Sequence, residues 1–128
     1  MRLLLDTHIL IWAVERPSQL SQLARELLED PANDLMVSAG TVWEIAIKVG
    51  LTKLTLSLSY QQWMNQALSD LNATILPITV EYAAVQASLP NHHRDPFDRL
   101  LVAQAQVEAI PLVSSDAIFD QYGISRLW

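Results

Sequence analysis

Four acidic residues of a type that can hold a hard cation or move a proton stand in comparable places along the chain. Asp6 follows Leu3-Leu4-Leu5 at once, and Asp116 follows Leu112-Val113 after Ser114-Ser115. Glu44 sits among Val42, Trp43, Ile45, Ala46 and Ile47, and Asp98 stands just before Leu100-Leu101-Val102-Ala103. An uninterrupted apolar run that ends on an acid reads as a strand buried on both faces, presenting that acid at the carboxyl edge of a parallel sheet. A charged residue among apolar helix neighbours is costly to bury unless a cation or hydrogen bonds accompany it.

Each acid also has a plainer use. Asp6 or Thr7 can cap the helix that follows, and Asp95 before Pro96 has the form of a cap with Asp98 placed to close a capping box. Glu44 can pair with Lys48 at the favourable four-residue spacing, and Asp116 taken alone reads better as a cap than as a ligand. Asp98 is assigned to chemistry and Asp95 mainly to structure, although the residues alone leave the two exchangeable. The four together are harder to dismiss as caps, because like charges gathered at one edge raise one another's pKa unless a cation compensates them.

The elements that must position these acids alternate short apolar runs with amphipathic ones. Strands are expected at 2–5, 35–38, 74–76 and 111–113, with a further one within 124–128. Helices are expected at 8–15, from Pro17-Ser18 through Leu20, Leu23, Leu27 and Leu28, at 41–49 up to Gly50, at 60–71, at 80–88 behind Thr79, and at 96–108. In the helix at 80–88 Val80, Ala84 and Ala87 are available for packing. Leu54, Leu56 and Leu58, alternating with Thr55 and Ser57, fit either a short edge strand or an extended connection. The order predicts an α/β three-layer sandwich around a mainly parallel sheet of four to five strands, in a single domain spanning 1–128.

Composition narrows the function. The chain has no cysteine, which excludes disulfides, thiolate zinc sites and cysteine nucleophiles. No apolar run has membrane-spanning length and no signal-peptide core follows Met1-Arg2, so a soluble cytoplasmic protein is expected. A formal charge of −6 disfavours bulk attraction of nucleic acid, and the eight basic residues are dispersed without a binding stripe. That does not disfavour a nuclease, whose bound cations invert the field of their carboxylates. A serine hydrolase lacks the G-x-S-x-G elbow. The histidines at 8, 92 and 93 lack a usual zinc spacing. An aspartate-based phosphate-transferring enzyme would need a lysine near the last strand, and none follows Asp98. A non-catalytic RNA- or protein-binding domain remains the other reading.

The chain resembles a PIN domain of the bacterial VapC toxin type. The likeness is carried by Leu3-Leu4-Leu5-Asp6-Thr7-His8, by Ser38-Ala39-Gly40-Thr41-Val42-Trp43-Glu44-Ile45, by residues 93–105 from His93-Arg94-Asp95-Pro96-Phe97-Asp98-Arg99 onward, and by Leu112-Val113-Ser114-Ser115-Asp116. It implies a Mg²⁺- or Mn²⁺-dependent endoribonuclease that is paired with an antitoxin protein. The family's acids fall on Asp6, Glu44, Asp98 and Asp116, with the hydroxyl two positions before the last acid kept as Ser114. His93, Asp95 and Arg99 follow a subgroup pattern and are expected to touch RNA or shape the loop, with Thr7 in a supporting place. Hard cations prefer carboxylate oxygens, so Asp6 and Asp98 are expected as direct ligands, Glu44 as a positioning or water-mediated ligand, and Asp116 at a second position. A homodimer is expected from apolar surface around Trp12, Trp43 and Trp63, with Trp43 also readable as ordinary core.

Overall fold

β1 (Arg2–Leu5) is the middle of a sheet whose strands run in the order β3-β2-β1-β4-β5, with β2 at Asp34–Ser38, β3 at Thr74–Leu76, β4 at Leu112–Val113 and β5 at Arg126–Leu127. The computed structural model describes all 128 residues, and every strand pairing in it is parallel. Leu3 and Leu5 of β1 point to one face and Leu4 to the other, and all three are fully buried. A strand covered on both faces needs the continuous apolar run that the sequence shows.

Helices cover each face. On one, α1 (Thr7–Glu15), α2 (Gln22–Glu29), α3 (Ala39–Gly50) and α4 (Tyr60–Asp70) supply Ile9, Leu10, Ala24, Ile45, Trp63 and Met64 around Leu3, Leu5, Leu35 and Val37. On the other, α5 (Val80–Ala87) and α6 (Pro96–Glu108) pack Tyr82, Leu101, Val102 and Ala105 with Phe119 against Leu4 and Leu112. The result is the three-layer α/β sandwich. Gly40 lets α3 approach α6: a Cβ there would lie 2.5 Å from Cδ2 of Leu100, and these two helices carry Glu44 and Asp98.

Several local expectations give way to tertiary context. Pro17-Ser18 opens only a 3-10 turn, Pro17–Gln19, and α2 begins at Gln22 once Ser21 accepts the Ala24 N–H at 3.0 Å. Leu51 to Ser59 joins no strand and is a connection that opens on a turn, with Leu54 and Leu56 packed against the core instead of alternating along a sheet edge. Thr79 does cap α5, but the helix buries Tyr82 and leaves Val80, Ala84 and Ala87 exposed. Trp63 is completely buried and offers no surface for association, and Trp43 is 62 % exposed instead of core. Glu44 and Ile45 are the residues that α3 turns inward from this stretch, leaving Trp43 on its outer side.

Candidate active site

The carboxyl ends of β1, β2 and β4 and the amino end of α6 bring the four acids into one neighbourhood. Asp6 is the residue at which β1 becomes α1, yet its side chain makes no cap. Its Oδ2 accepts the Ser114 hydroxyl at 2.8 Å, and that hydroxyl oxygen in turn accepts the Asp116 N–H at 3.0 Å. Ser114 thereby ties the end of β4 to the end of β1. Burial pushes Asp6 above the ordinary carboxylate range and Glu44 adds to the rise, while Ser114, His8 and the Thr7 backbone pull the other way.

Glu44 is buried and fully engaged. Thr7 donates to its Oε1 at 2.7 Å, and Lys48 donates to its Oε2 at 2.6 Å. Because the single Thr7 hydroxyl hydrogen goes to Glu44, Thr41, 3.0 Å away, must be the donor to Thr7. Partial burial opposes the charge of Lys48, but Glu44, Asp95 and Asp98 outweigh it and raise the ammonium above its ordinary value. Ligand and ion-pair readings of Glu44 therefore meet at one carboxylate.

Asp95 and Asp98 divide the two roles that one turn of helix could support. Asp95 accepts the Phe97 N–H at 2.8 Å and caps α6. Asp98 makes no side-chain hydrogen bond, so the capping box is left open. Burial pushes Asp98 up to about 7, with Asp95, Asp6 and Glu44 adding to the rise and His93 opposing it. A half-buried carboxylate facing three others, with no donor of its own, is a charge awaiting compensation.

Asp116 accepts the Ile118 N–H on Oδ1 at 3.0 Å, capping a 3-10 segment (Ala117–Tyr122), and His93 Nε2 lies 3.1 Å from its Oδ2. Partial burial would raise Asp116, but the bonds from His93 and Ile118 together with the charges of His93 and Arg126 lower it. His93 is buried between Phe119 and Tyr122, and its N–H donates to the Tyr122 hydroxyl at 2.7 Å. Its Nδ1 has no partner, which suits the tautomer that carries hydrogen on Nε2 toward the carboxylate. Arg99 points away from the acids: its guanidinium donates to the carbonyls of Gln86, Leu89 and Pro90 and to Asn91 at the end of α5.

Neither Thr41 nor Tyr122 is marked as a site residue by the sequence, though both hold site residues in place. Thr41 stands three residues before Glu44 and so shares its helix face, a signal that was available; Tyr122 reaches His93 across 29 positions and gave none. No three His, Asp or Glu side chains are arranged to hold a metal ion together. The candidate ligands Asp6, Glu44, Asp98 and Asp116 nevertheless offer only carboxylate oxygens, and Asp98 has no hydrogen-bonding donor, which fits a hard divalent cation.

A protein with this sheet order and four acids at its carboxyl edge is of the PIN class, and the PIN domain model matches residues 3–124. The chain belongs to the PIN domain family. Within that family it is VapC-like: ribonuclease VapC22 of Mycobacterium tuberculosis (strain ATCC 25618 / H37Rv) is 31 % identical over 114 residues, covering 88 % of this chain and 85 % of that one. Among solved structures, VapBC2 from Rickettsia felis bound to a DNA fragment from their promoter superposes with a TM-score of 0.76 at 18 % identity, covering 99 % of this chain and 98 % of that one. FitAcB from Neisseria gonorrhoeae gives 0.66 at 22 % identity, covering 98 % and 96 %. At those identities the structures speak for the fold.

Proposed function

We propose that the chain is a Mg²⁺- or Mn²⁺-dependent endoribonuclease, the toxin of a toxin–antitoxin pair, with residues 1–128 working as one domain and cleaving RNA phosphodiester bonds by hydrolysis. The observation that carries this reading is the uncompensated Asp98 carboxylate, pushed up to about 7 by burial and by Asp95, Asp6 and Glu44. The relative named a ribonuclease supports the activity, and a neighbour named as the VapBC2 complex supports a protein partner.

Asp6 and Asp98 would hold the cation. When bound, it supplies Lewis-acid polarisation of a phosphoryl oxygen and a water of lowered pKa. The chain's own residues prepare the place: Ser114 orients Asp6, Thr7 and Thr41 fix Glu44, and His93 fixes Asp116. Lys48 occupies Glu44 Oε2, so Glu44 acts through that pairing, setting the orientation of the site from α3. The closed side of the cleft, formed by buried Ser114, Thr7 and Thr41, keeps bulk water from one face of Asp6 and strengthens its electrostatics.

The test is substitution of Asp6 or Asp98 by Asn. Asn keeps the size and capping ability of Asp but loses the charge that holds a hard cation. Cleavage of a structured RNA with added Mg²⁺ or Mn²⁺ should be abolished in Asp6→Asn and Asp98→Asn, with cooperative thermal unfolding retained. Full metal-dependent activity in both folded variants would overturn the reading.

A further inference from the structure

Eight cations dispersed in sequence sort, in the folded chain, into two sets. Arg2 pairs with Glu108, Lys48 with Glu44 and Arg126 with Asp120, while Arg25 and Arg99 donate to backbone carbonyls. The remaining three, Arg16, Lys53 and Arg94, have no ion pair or side-chain hydrogen bond. All three line two clefts beside the acids. Arg16 and Lys53 border one of about 330 Å³, Arg94 borders another of about 320 Å³, and Lys48 lines both, with Glu44 and the helix cap Asp95 in the wall of the second. The acid in the first cleft, Glu15, is spent on the Ser57 N–H and the Trp63 indole, so it does not cancel the local positive charge by pairing.

Each cleft also offers an aromatic face. Trp12 lines the first, and Phe97, held edge-on by Trp43 at 5.8 Å, lines the second. Unpaired cations in a protein of net charge −6, interleaved with aromatic rings in clefts that share Lys48 and reach Glu44 and Asp95, match what a single strand requires: charges for phosphates and π-faces for bases. Each cleft has the volume of a small-ligand site, room for about one nucleotide.

We infer that single-stranded RNA crosses the site from the Arg16 and Lys53 cleft to the Arg94 cleft, passing over Lys48, with its phosphates on those three unpaired cations and flanking bases against Trp12 and Phe97. This rests on the ribonuclease reading above and adds the path of the substrate and the side chains that hold it. The path fits an unpaired strand and not a duplex, because bases must leave their stack to reach aromatic side chains inside clefts.

The experiment measures binding separately from cleavage. A 5′-labelled single-stranded RNA of about 12 nucleotides is titrated with the wild-type chain in chelator, and anisotropy is followed from about 50 to about 200 mM salt. The triple variant Arg16→Gln, Lys53→Gln, Arg94→Gln should lower the salt slope by about 2, since each single-strand phosphate contact contributes about 0.7, and should bind at least about tenfold more weakly at the lowest salt. Arg25→Gln, from a cation outside both clefts, should leave the slope unchanged. An unaltered slope in a folded triple variant would overturn the path while leaving the cleavage reading intact. Absence of RNA binding by the wild type would overturn it as well; loss of cleavage in Asp6→Asn with RNA binding retained isolates the catalytic claim from this one.

Discussion

Asp98 joins burial to three neighbouring carboxylates, and its protonation links the site to stability. Its value is raised from 3.8 to about 7, so the folded chain holds a proton there that the unfolded chain has released. Stability from this group is complete below 3.8 and is lost as pH rises toward about 7. In chelator, the wild type should therefore lose thermal stability across that window, and Asp98→Asn should lose less, keeping only the loss that the raised Asp6 contributes. The melting-temperature difference between them should grow as pH rises to neutrality and shrink when Mg²⁺ is added. A difference that stays flat with pH would show that Asp98 is not held at a raised value. The lowered carboxylates, such as Asp116, act in the opposite sense and below this window, since they lose stability as pH falls.

At the scale of elements, the loop between α5 and α6 depends on one guanidinium. Arg99 sits in the first turns of α6 and donates from two nitrogens to carbonyls at the end of α5, with distances of 3.0, 2.9 and 3.1 Å to Pro90, Gln86 and Leu89. Gln86 belongs to the last turn of α5, and Leu89 and Pro90 to the connection just beyond it, so the guanidinium gathers three carbonyls where the chain leaves the helix. The planar fork matters, because a lysine ammonium cannot span them in the same geometry. Arg99→Lys and Arg99→Ala should both cost about 2 kcal/mol in urea unfolding, with faster hydrogen exchange in α5. A fully stable Arg99→Lys would show that charge alone suffices.

The same scale explains which element boundaries could be read in advance. Ser21 and Thr79 cap where a polar residue precedes an apolar period, and the strands 2–5, 35–38 and 74–76 appear close to their expected bounds. The buried face of α5 was not legible, since Val80, Ala84 and Ala87 and the pair Tyr82 and Val85 are equally apolar, and only the position of α6 chooses between them. Trp43 and Trp63 pose the same problem with larger side chains.

For the whole molecule, the exposed apolar residues predict association. Val80 is 88 % exposed and Trp43 62 %, and Ile75 on the edge strand β3 lies open with Ile78. An edge strand with exposed apolar neighbours invites pairing or coverage. The purified chain should run as a dimer across concentration in a sizing measurement, and should bind the product of the neighbouring gene. A strict monomer indifferent to that partner would reject both expectations. No helix is long and apolar enough to cross a membrane.

The chain of residues alone determined the layers and marked the candidate acids, leaving Asp95 and Asp98 exchangeable. Short uninterrupted apolar runs suit strands covered on both faces, as in a parallel sheet, and an acid at the end of such a run falls at the carboxyl edge. What tertiary structure decided is which plain role each acid keeps alongside its place at the site. Asp95 takes the cap and Asp98 none, Glu44 takes Lys48 as well as Thr7, and Asp116 takes both a helix start and His93. Hydrogen bonds and burial between residues as far apart as Asp6 and Ser114, 108 positions, have no trace in local spacing. The three unpaired cations are the same case: Arg16, Lys53 and Arg94 are scattered in sequence, and only the packing of α1, α3 and the loop before α6 brings them to the clefts on either side of Lys48.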